Sequence, residues 1–468
     1  MRKLFLPLLL LVGFSSPAQR MLTLEEAIAT SLQNNYNILL AKNDSLAAAL
    51  DYSFKNAGFL PRINGNLGTL WNNNAQKQTL ADGTKRESKG LKSNNITAQL
   101  ALNWTLFDGL KMFATRDKLE EFVKLGDLAI KNQIVNTVAS VINTYYNIVR
   151  QKQQLIAVEE QMSLSKERVK LAQYKLDIGV GTKPDVLQGK LDLNAQKAAQ
   201  LLQQTLIAKL KEDLNQLMNV QQSTIYEVSD TIPINTRLSL GDIQSSVENN
   251  NPALLIAKKN IDIAGLTLKE RKAERLPTLS FNSTYNFNRT TNQAVINPFS
   301  TLFNRTKGLN YGLTATIPIL NNFTNKRQIK QAELDIQYQQ IVYDNQKSLI
   351  SLSVINAWKD YELQKRALAL EEENILLAKE NVNILFQVYK LNSTTLIQLK
   401  EAEKSLGDAY NRLIAARYST KLAETELLRL KGDLIRSYCS LHLCEIHFLT
   451  FLCCTNFKHE PSRRYNYG

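Results

Sequence analysis

The chain repeats itself, so whatever one half folds into, the other half must accommodate as well. The segment LTLEEAIATSLQNNYNILLAKNDSLAAALDYSFKNAGFLPRI starts at Leu22, and LSLGDIQSSVENNNPALLIAKKNIDIAGLTLKERKAERLPTL starts at Leu238. Leu24 aligns with Leu240, Asn34 with Asn250, Lys42 with Lys258, and LPR at Leu60 with LPT at Leu276, all at an offset of 216. VINTYY at Val141 matches VINAWK at Val354 at an offset of 213, and YKL recurs at Tyr174 and Tyr389. Two copies of about 210 residues therefore fill the chain, at 19–237 and 238–434. This period is far longer than that of a solenoid. It predicts an internally duplicated domain whose halves lie side by side.

Each copy holds two alternating segments. In the first copy they run over about 62–71 and 96–106. In the second of these, Ile96, Ala98, Leu100, Leu102, Trp104 and Leu106 share one face, and Thr97, Gln99, Ala101, Asn103 and Thr105 the other. In the second copy they run over about 278–288 and 309–319. There Leu279, Phe281, Tyr285 and Phe287 oppose Ser280, Asn282, Thr284, Asn286 and Asn288, and Leu309, Tyr311, Leu313, Ala315, Ile317 and Ile319 oppose Asn310, Gly312, Thr314, Thr316 and Pro318. Period-two alternation over ~10 residues fits a barrel strand with lipid outside and water inside. A half-buried sheet of a soluble protein gives the same alternation. The small uncharged residues of the polar faces, in place of Lys and Glu, favour the membrane barrel. Trp71, Trp104, Tyr285, Phe287 and Tyr311 are candidates for a girdle at the membrane interface. Four strands cannot close a barrel, since the smallest outer-membrane barrels have about eight. The barrel must then be shared between two, three or four chains. The polar links 72–95 and 288–308 are expected to be long outer loops, with the sequons at Asn288 and Asn304 as loop composition.

The remainder reads as helix. Residues 113–176 contain no proline and one glycine, Gly126. At ~1.5 Å per residue such a run reaches roughly 95 Å. Apolar positions Ile134, Val138, Val141, Tyr145 and Ile148 form a heptad seam. It resumes, after a phase change near Gln151, through Leu155, Val158, Met162, Ser165, Val169, Ala172 and Leu176. That pattern suits packed coiled-coil helices. A second helix is expected over 185–218, giving a helical hairpin 113–218. The second copy repeats it as a hairpin 322–432, with helices at about 322–391 and 396–432.

An export signal is expected at 1–18. Arg2 and Lys3 precede an apolar run over 4–12, and Ser16 and Ala18 sit at the −3 and −1 positions of a cut before Gln19. Beyond it no apolar run is long enough for a transmembrane helix, so a membrane-spanning form must be a closed β-barrel. The net charge is +14, of which +10 is spread thinly over 19–434. On an exported chain this means a mildly basic surface and no nucleic-acid partner. All four cysteines and all three histidines follow residue 434. The body thus lacks thiol, imidazole and the usual zinc chemistry, and its carboxylates are spaced as solvated helix faces. No catalytic residue, metal site or cofactor is expected, and an enzyme is excluded. The tail, 435–468, changes composition abruptly. Its Cys and His spacing fits no standard zinc pattern, and it reads as an aberrant, frameshifted or run-on terminus.

These residues resemble the TolC-type outer-membrane efflux proteins. The resemblance covers nearly all of 22–434. It rests on LTLEEAI…NN at Leu22, its NNP copy at Asn250, LP before the first strand of each half, WTLFDG at Trp104, IPILNN at Ile317 and IGVGTKPDVL at Ile178. The resemblance implies an α+β membrane protein: a homotrimer with a 12-stranded β-barrel in outer-membrane lipid, four strands per chain, continuous with a long periplasmic α-helical coiled-coil barrel. It implies a passive exit duct of a tripartite efflux or secretion system, docking to a periplasmic adaptor and, through it, an inner-membrane transporter. A periplasmic coiled-coil structural or adaptor protein would share the helices without the strands.

One stretch, YKLDIGVGTKPDVLQGK at 174–190, is glycine-rich without being a phosphate loop. GVGTK has the wrong spacing and no strand precedes it. Gly179 suits a helix C-cap, Pro184 the first turn of the next helix, and Thr182 or Lys183 the N-cap. The resemblance places Ile178, Gly179, Val180, Gly181, Thr182 and Asp185 at a periplasmic tip that meets the adaptor. The matching tip of the second copy, LNSTTLIQL at Leu391, lacks those glycines, so the two tips are expected to differ.

Overall fold

The computed structural model describes residues 21–54, 56–297 and 299–435. The signal expected at 1–18 and residues 436–468 of the tail lie outside them. The elements run in order β1 (Met21–Leu22), α1 (Leu24–Asn34), α2 (Tyr36–Asp51), β2 (Arg62–Thr79), β3 (Lys85–Phe107), α3 (Lys111–Asp177), α4 (Lys183–Met218), β4 (Glu227–Val228), α5 (Leu240–Asn250), α6 (Pro252–Ala273), β5 (Thr278–Asn292), β6 (Phe303–Thr316), α7 (Thr324–Lys390) and α8 (Leu396–Lys431). The two copies reproduce each other element by element: α1 and α5 have 11 residues each, α3 and α7 have 67, and α4 and α8 have 36.

The chain divides into two compact units, and the division does not follow the repeat. One unit takes in residues up to 41, 129–255 and 347 onward; the other is 42–128 with 256–346. Each copy supplies residues to both. The second unit holds a four-stranded antiparallel sheet of order β2-β3-β5-β6, two strands from each copy. Its strands are longer than the alternation suggested. β2 continues to Thr79 and β3 begins at Lys85, so the expected loop 72–95 is mostly ladder closed by a short turn, with Leu80 N–H donating to the Thr84 carbonyl at 2.9 Å. Likewise β5 reaches Asn292 and β6 starts at Phe303, shortening the expected 288–308 loop. Apart from Leu91 and Phe303 these extensions are polar on both faces, so no hydrophobic period marks them. At its far end β6 stops at Thr316, short of the expected 319. Pro318 has no N–H to give a ladder, and Asn322 and Phe323 then turn the chain with positive φ.

The first unit is helical. Its main core joins Ile28, Ile38, Val138, Val141, Ile142, Tyr145, Ile148, Val149, Leu214 and Val228, all nearly inaccessible to solvent. The upper part of the α3 seam, Ile134 through Ile148, is thus buried as its spacing predicts. Short parallel strands β1 and β4 pair beside it, and the Tyr145 hydroxyl donates to the Leu22 carbonyl at 2.9 Å.

The repeat is legible in one polar knot that occurs twice. The Asn35 amide donates to the Leu217 carbonyl at 2.8 Å, and its Oδ1 accepts from Asn37 N–H at 3.0 Å, capping α2. Asn251 donates to the Leu430 carbonyl at 2.9 Å and accepts from Ala253 N–H at 3.0 Å, capping α6. Both asparagines are buried. Each ties the start of a short helix to the end of its own copy's return helix. Those ends match too: α4 is capped by Asn219 and α8 by Gly432, both left-handed. This knot explains the paired NN motifs: an unmade bond would strand an acceptor that is buried at Leu430 and part-buried at Leu217.

Candidate functional site: the helical tips

The candidate site is the turn between α3 and α4, within the helical unit. α3 ends at Asp177, and Gly179 adopts φ +80°, a left-handed conformation that side chains other than glycine adopt at a cost. Val180 N–H and Gly181 N–H both donate to the Lys175 carbonyl, at 2.9 and 2.8 Å, and Gly179 N–H donates to Leu176 at 3.0 Å. A side chain at Gly179 would meet open space. One at Gly181 would sit 2.8 Å from the Leu176 nitrogen and the Lys175 carbonyl carbon. Gly181 is therefore fixed by close backbone approach. Thr182 is the N-cap of α4: its hydroxyl accepts from Asp185 N–H at 3.4 Å and donates to Asp185 Oδ2 at 2.7 Å. The N–H groups of 178–181 and the Thr182 hydroxyl are thus used internally, while Ile178 and Val180 are 53% and 61% exposed. The turn thus displays two aliphatic side chains on its surface.

The second tip is built the same way despite its different sequence. α7 ends at Lys390, Asn392 takes the left-handed position with φ +58°, and Thr395 caps α8 through a capping box with Gln398. Asn392 and Thr395 stand 213 residues after Gly179 and Thr182, the offset of the repeat. Asparagine tolerates the left-handed region better than most residues, so the turn survives without glycine. The tips share a scaffold and differ in what they display: Leu391 and Ile397 are exposed where the first tip has Ile178 and Pro184.

Between the tips lies a feature that the heptad reading misplaced. That reading put Ser165, Val169, Ala172 and Leu176 on the lower seam of α3. The buried positions are Ser165, Arg168, Ala172 and Lys175, while Val169 and Leu176 are half-buried. Charge partners from other helices account for the shift. The Arg168 guanidinium donates to Asp192 Oδ2 on α4 at 2.6 Å and to Glu403 on α8, and Lys400 reaches Asp192 at 3.1 Å. Burial pushes the Glu403 carboxyl up from its ordinary range, against the pull of Arg168. Lys175 donates to the Tyr389 carbonyl at 2.7 Å and lies 3.9 Å from the centre of the Tyr389 ring, and burial pushes its amine down. The two YKL motifs thus meet each other, and the buried cations join the first hairpin to the second. A period count weights apolar residues only; the available signal was Arg168 and Lys175 falling on the 3-4 spacing.

In the sheet, register puts Trp71, Trp104, Tyr285, Phe287 and Tyr311 on one face with the other apolar residues, through pairs such as Trp104 with Phe281, Leu100 with Tyr285, and Ser283 with Tyr311. Trp71 lies midway along β2 and Trp104 near the helix end of β3, where its indole N–H donates to the Phe59 carbonyl at 2.9 Å. Tyr285 and Tyr311 fall within the apolar rows, since the strands extend beyond the alternating segments. The opposite face pairs Gln99 with Asn286, Asn282 with Gly312, and Thr284 with Asn310. No helix among the described residues is long and apolar enough to cross a membrane, and no group of potential metal ligands occurs among them.

These features recur in known proteins. Outer membrane efflux protein BepC of Brucella suis biovar 1 is 20% identical over 361 residues, 75% of either chain. The fold is shared with the CmeC outer membrane channel of Campylobacter jejuni, at a TM-score of 0.70 and 16% identity over 88% of this chain and 86% of that one. It is shared equally with VceC of Vibrio cholerae, at 0.70 and 15% identity over 87% and 96%. The profile of the outer membrane efflux protein family matches residues 27–220 and 243–433, which together make up most of both copies. The chain belongs to the outer membrane efflux protein family: it is an outer-membrane transport protein and not an enzyme.

Proposed function

We propose that the chain is the passive exit duct of a tripartite efflux or secretion system. Three copies close a twelve-stranded β-barrel, and the helices extend into the periplasm as a coiled-coil barrel. The observation that carries this reading is the sheet itself. It has one apolar face, one face of Asn, Thr, Ser and Gly, and two free edges, β2 and β6. Hydrocarbon tolerates no open edge, and four strands are too few to close. Pairing β2 of one copy with β6 of the next satisfies both edges and turns the polar faces toward a shared aqueous lumen. The resemblance to TolC-type proteins supports three copies over two or four.

The tips fit adaptor docking. Exposed Ile178 and Val180 sit on a turn held by its own backbone bonds and the Thr182 cap, so a partner gains apolar contact on a structured turn. The adaptor in turn connects the duct to an inner-membrane transporter. The test is complementation of a strain lacking the gene. Wild-type protein restores efflux, whereas Gly181→Leu yields assembled outer-membrane oligomers without efflux. Full efflux from Gly181→Leu would remove the docking assignment, and wild-type protein recovered as a soluble periplasmic monomer would remove the duct.

A further inference from the structure

The half of the sheet nearest its turns is strongly basic. The four long strands carry nine Lys or Arg and a single carboxylate, Glu87, which already pairs with Lys77 at 3.2 Å. Three of these cations interrupt the apolar face. Arg289 and Arg305 stand directly opposite each other across β5 and β6, and Lys307 stands opposite Phe287. Like charges directly opposed in a ladder destabilise it, and none of the three has an ion-pair partner among the described residues. Both guanidiniums lie over rings of the same face, Arg289 at 5.6 Å from the centre of Phe303 and Arg305 at 5.2 Å from that of Phe287. All three cations are exposed. Trp71 lies one same-face step further toward the turns.

On the barrel reading above, on which this inference rests, that face meets lipid and the turn end lies at the outer surface. The three cations then sit at headgroup depth, between the apolar rows and Trp71. We propose that Arg289, Arg305 and Lys307 bind the phosphorylated sugar headgroup of an outer-leaflet glycolipid, whose acyl chains lie along the apolar rows beneath. A guanidinium fork donates to phosphate oxygens in bidentate fashion, and the rings of Phe303 and Phe287 lie under the two forks. An anion between Arg289 and Arg305 turns a repulsive pair into an attractive one. Three clustered positive charges match a headgroup with more than one phosphate better than the single phosphate of a phospholipid.

Native mass spectrometry of the assembled full-length protein tests this, using lipid A, dephosphorylated lipid A and phosphatidylglycerol as probes. Lipid A is expected to be retained at least about tenfold better than either of the others. Arg289→Gln with Arg305→Gln lowers its retention to the dephosphorylated level, and Arg289→Lys with Arg305→Lys keeps part of it. Equal retention of phosphatidylglycerol or of dephosphorylated lipid A by the wild type overturns the proposal without any variant having to fold. So does undiminished retention in the Gln variant. Failure of the barrel reading is seen separately, as a wild-type protein that forms no heat-modifiable oligomer in the outer-membrane fraction.

Discussion

Replacing Arg168 with methionine removes the cation that joins α3, α4 and α8 and leaves its partners in place. The Arg168 side chain is 3% exposed, Glu403 15% and Asp192 22%. Removing one member of a buried pair costs about 3–5 kcal/mol, because the remaining charge is left uncompensated. Lys400 still serves Asp192 at 3.1 Å, so the loss falls on Glu403 and belongs at the lower end, about 3 kcal/mol. Glu403 already has a raised pKa from burial, and without Arg168 it rises further. A carboxylate with a raised folded-state pKa favours the folded state at low pH and loses that contribution as pH climbs through the folded value. The variant is therefore least stable at neutral and alkaline pH and recovers as the medium is acidified. Amide hydrogen exchange on the assembled protein reads this directly. At pH 7 the amides of 165–177 and 396–410 should exchange on the order of a hundredfold faster than wild type. Arg168→Met with Glu403→Gln should regain most of that protection. Exchange within threefold of wild type at neutral pH, or a loss independent of pH, would refute the reasoning.

Other changes have different signatures. Gly179→Ala places a side chain in open space at φ +80° and should cost about 1–2 kcal/mol of local tip stability, whereas Gly181→Ala forces the backbone apart and should cost more; exchange rates at 174–186 rank the two. Asn392→Gly should leave the second tip unchanged or stabilise it slightly, read from the same amides at 388–398. Asn35→Ala and Asn251→Ala each remove a cap and the bond to a helix-end carbonyl, part-buried at Leu217 and buried at Leu430, so each should lower stability by about 2 kcal/mol in thermal unfolding, Asn251→Ala the more. Lys175→Met exchanges a buried amine for an apolar side chain of similar length. Burial depresses the Lys175 pKa, so its contribution is present at alkaline pH and is lost as pH falls through the folded value. The variant should therefore gain most over wild type near neutrality and lose that advantage above about pH 10, as denaturant titrations at the two pH values would reveal.

How much of this was legible in the sequence depended on which interaction fixes each residue. Alternation in 96–106 and 278–288 located the sheet because one face is apolar; it missed 72–79 and 85–95, where, apart from Leu91, both faces are polar and pairing alone defines the strand. The 3-4 spacing found α3 and the apolar part of its seam, and the repeat carried the helix over to α7. It failed at Arg168 and Lys175, where partners more than 200 residues away, Glu403 and Tyr389, make a buried cation tolerable. At the first tip, glycine and proline chemistry located Gly179 and Thr182 within the turn. At the second, the lack of glycine suggested a difference, yet Asn392 fills the same backbone role. Missing from the sequence was only that both tips need one left-handed residue and one hydroxyl cap, which different residues can supply.

The sharing of one barrel among chains is tested most directly by the mass of the assembled protein extracted from outer membranes. Native mass spectrometry should give three chains per particle, with a cysteine pair placed across β2 of one chain and β6 of the next crosslinking them into a closed ring of three. A monomer, or a dimer whose β2 and β6 do not crosslink between chains, would contradict the account.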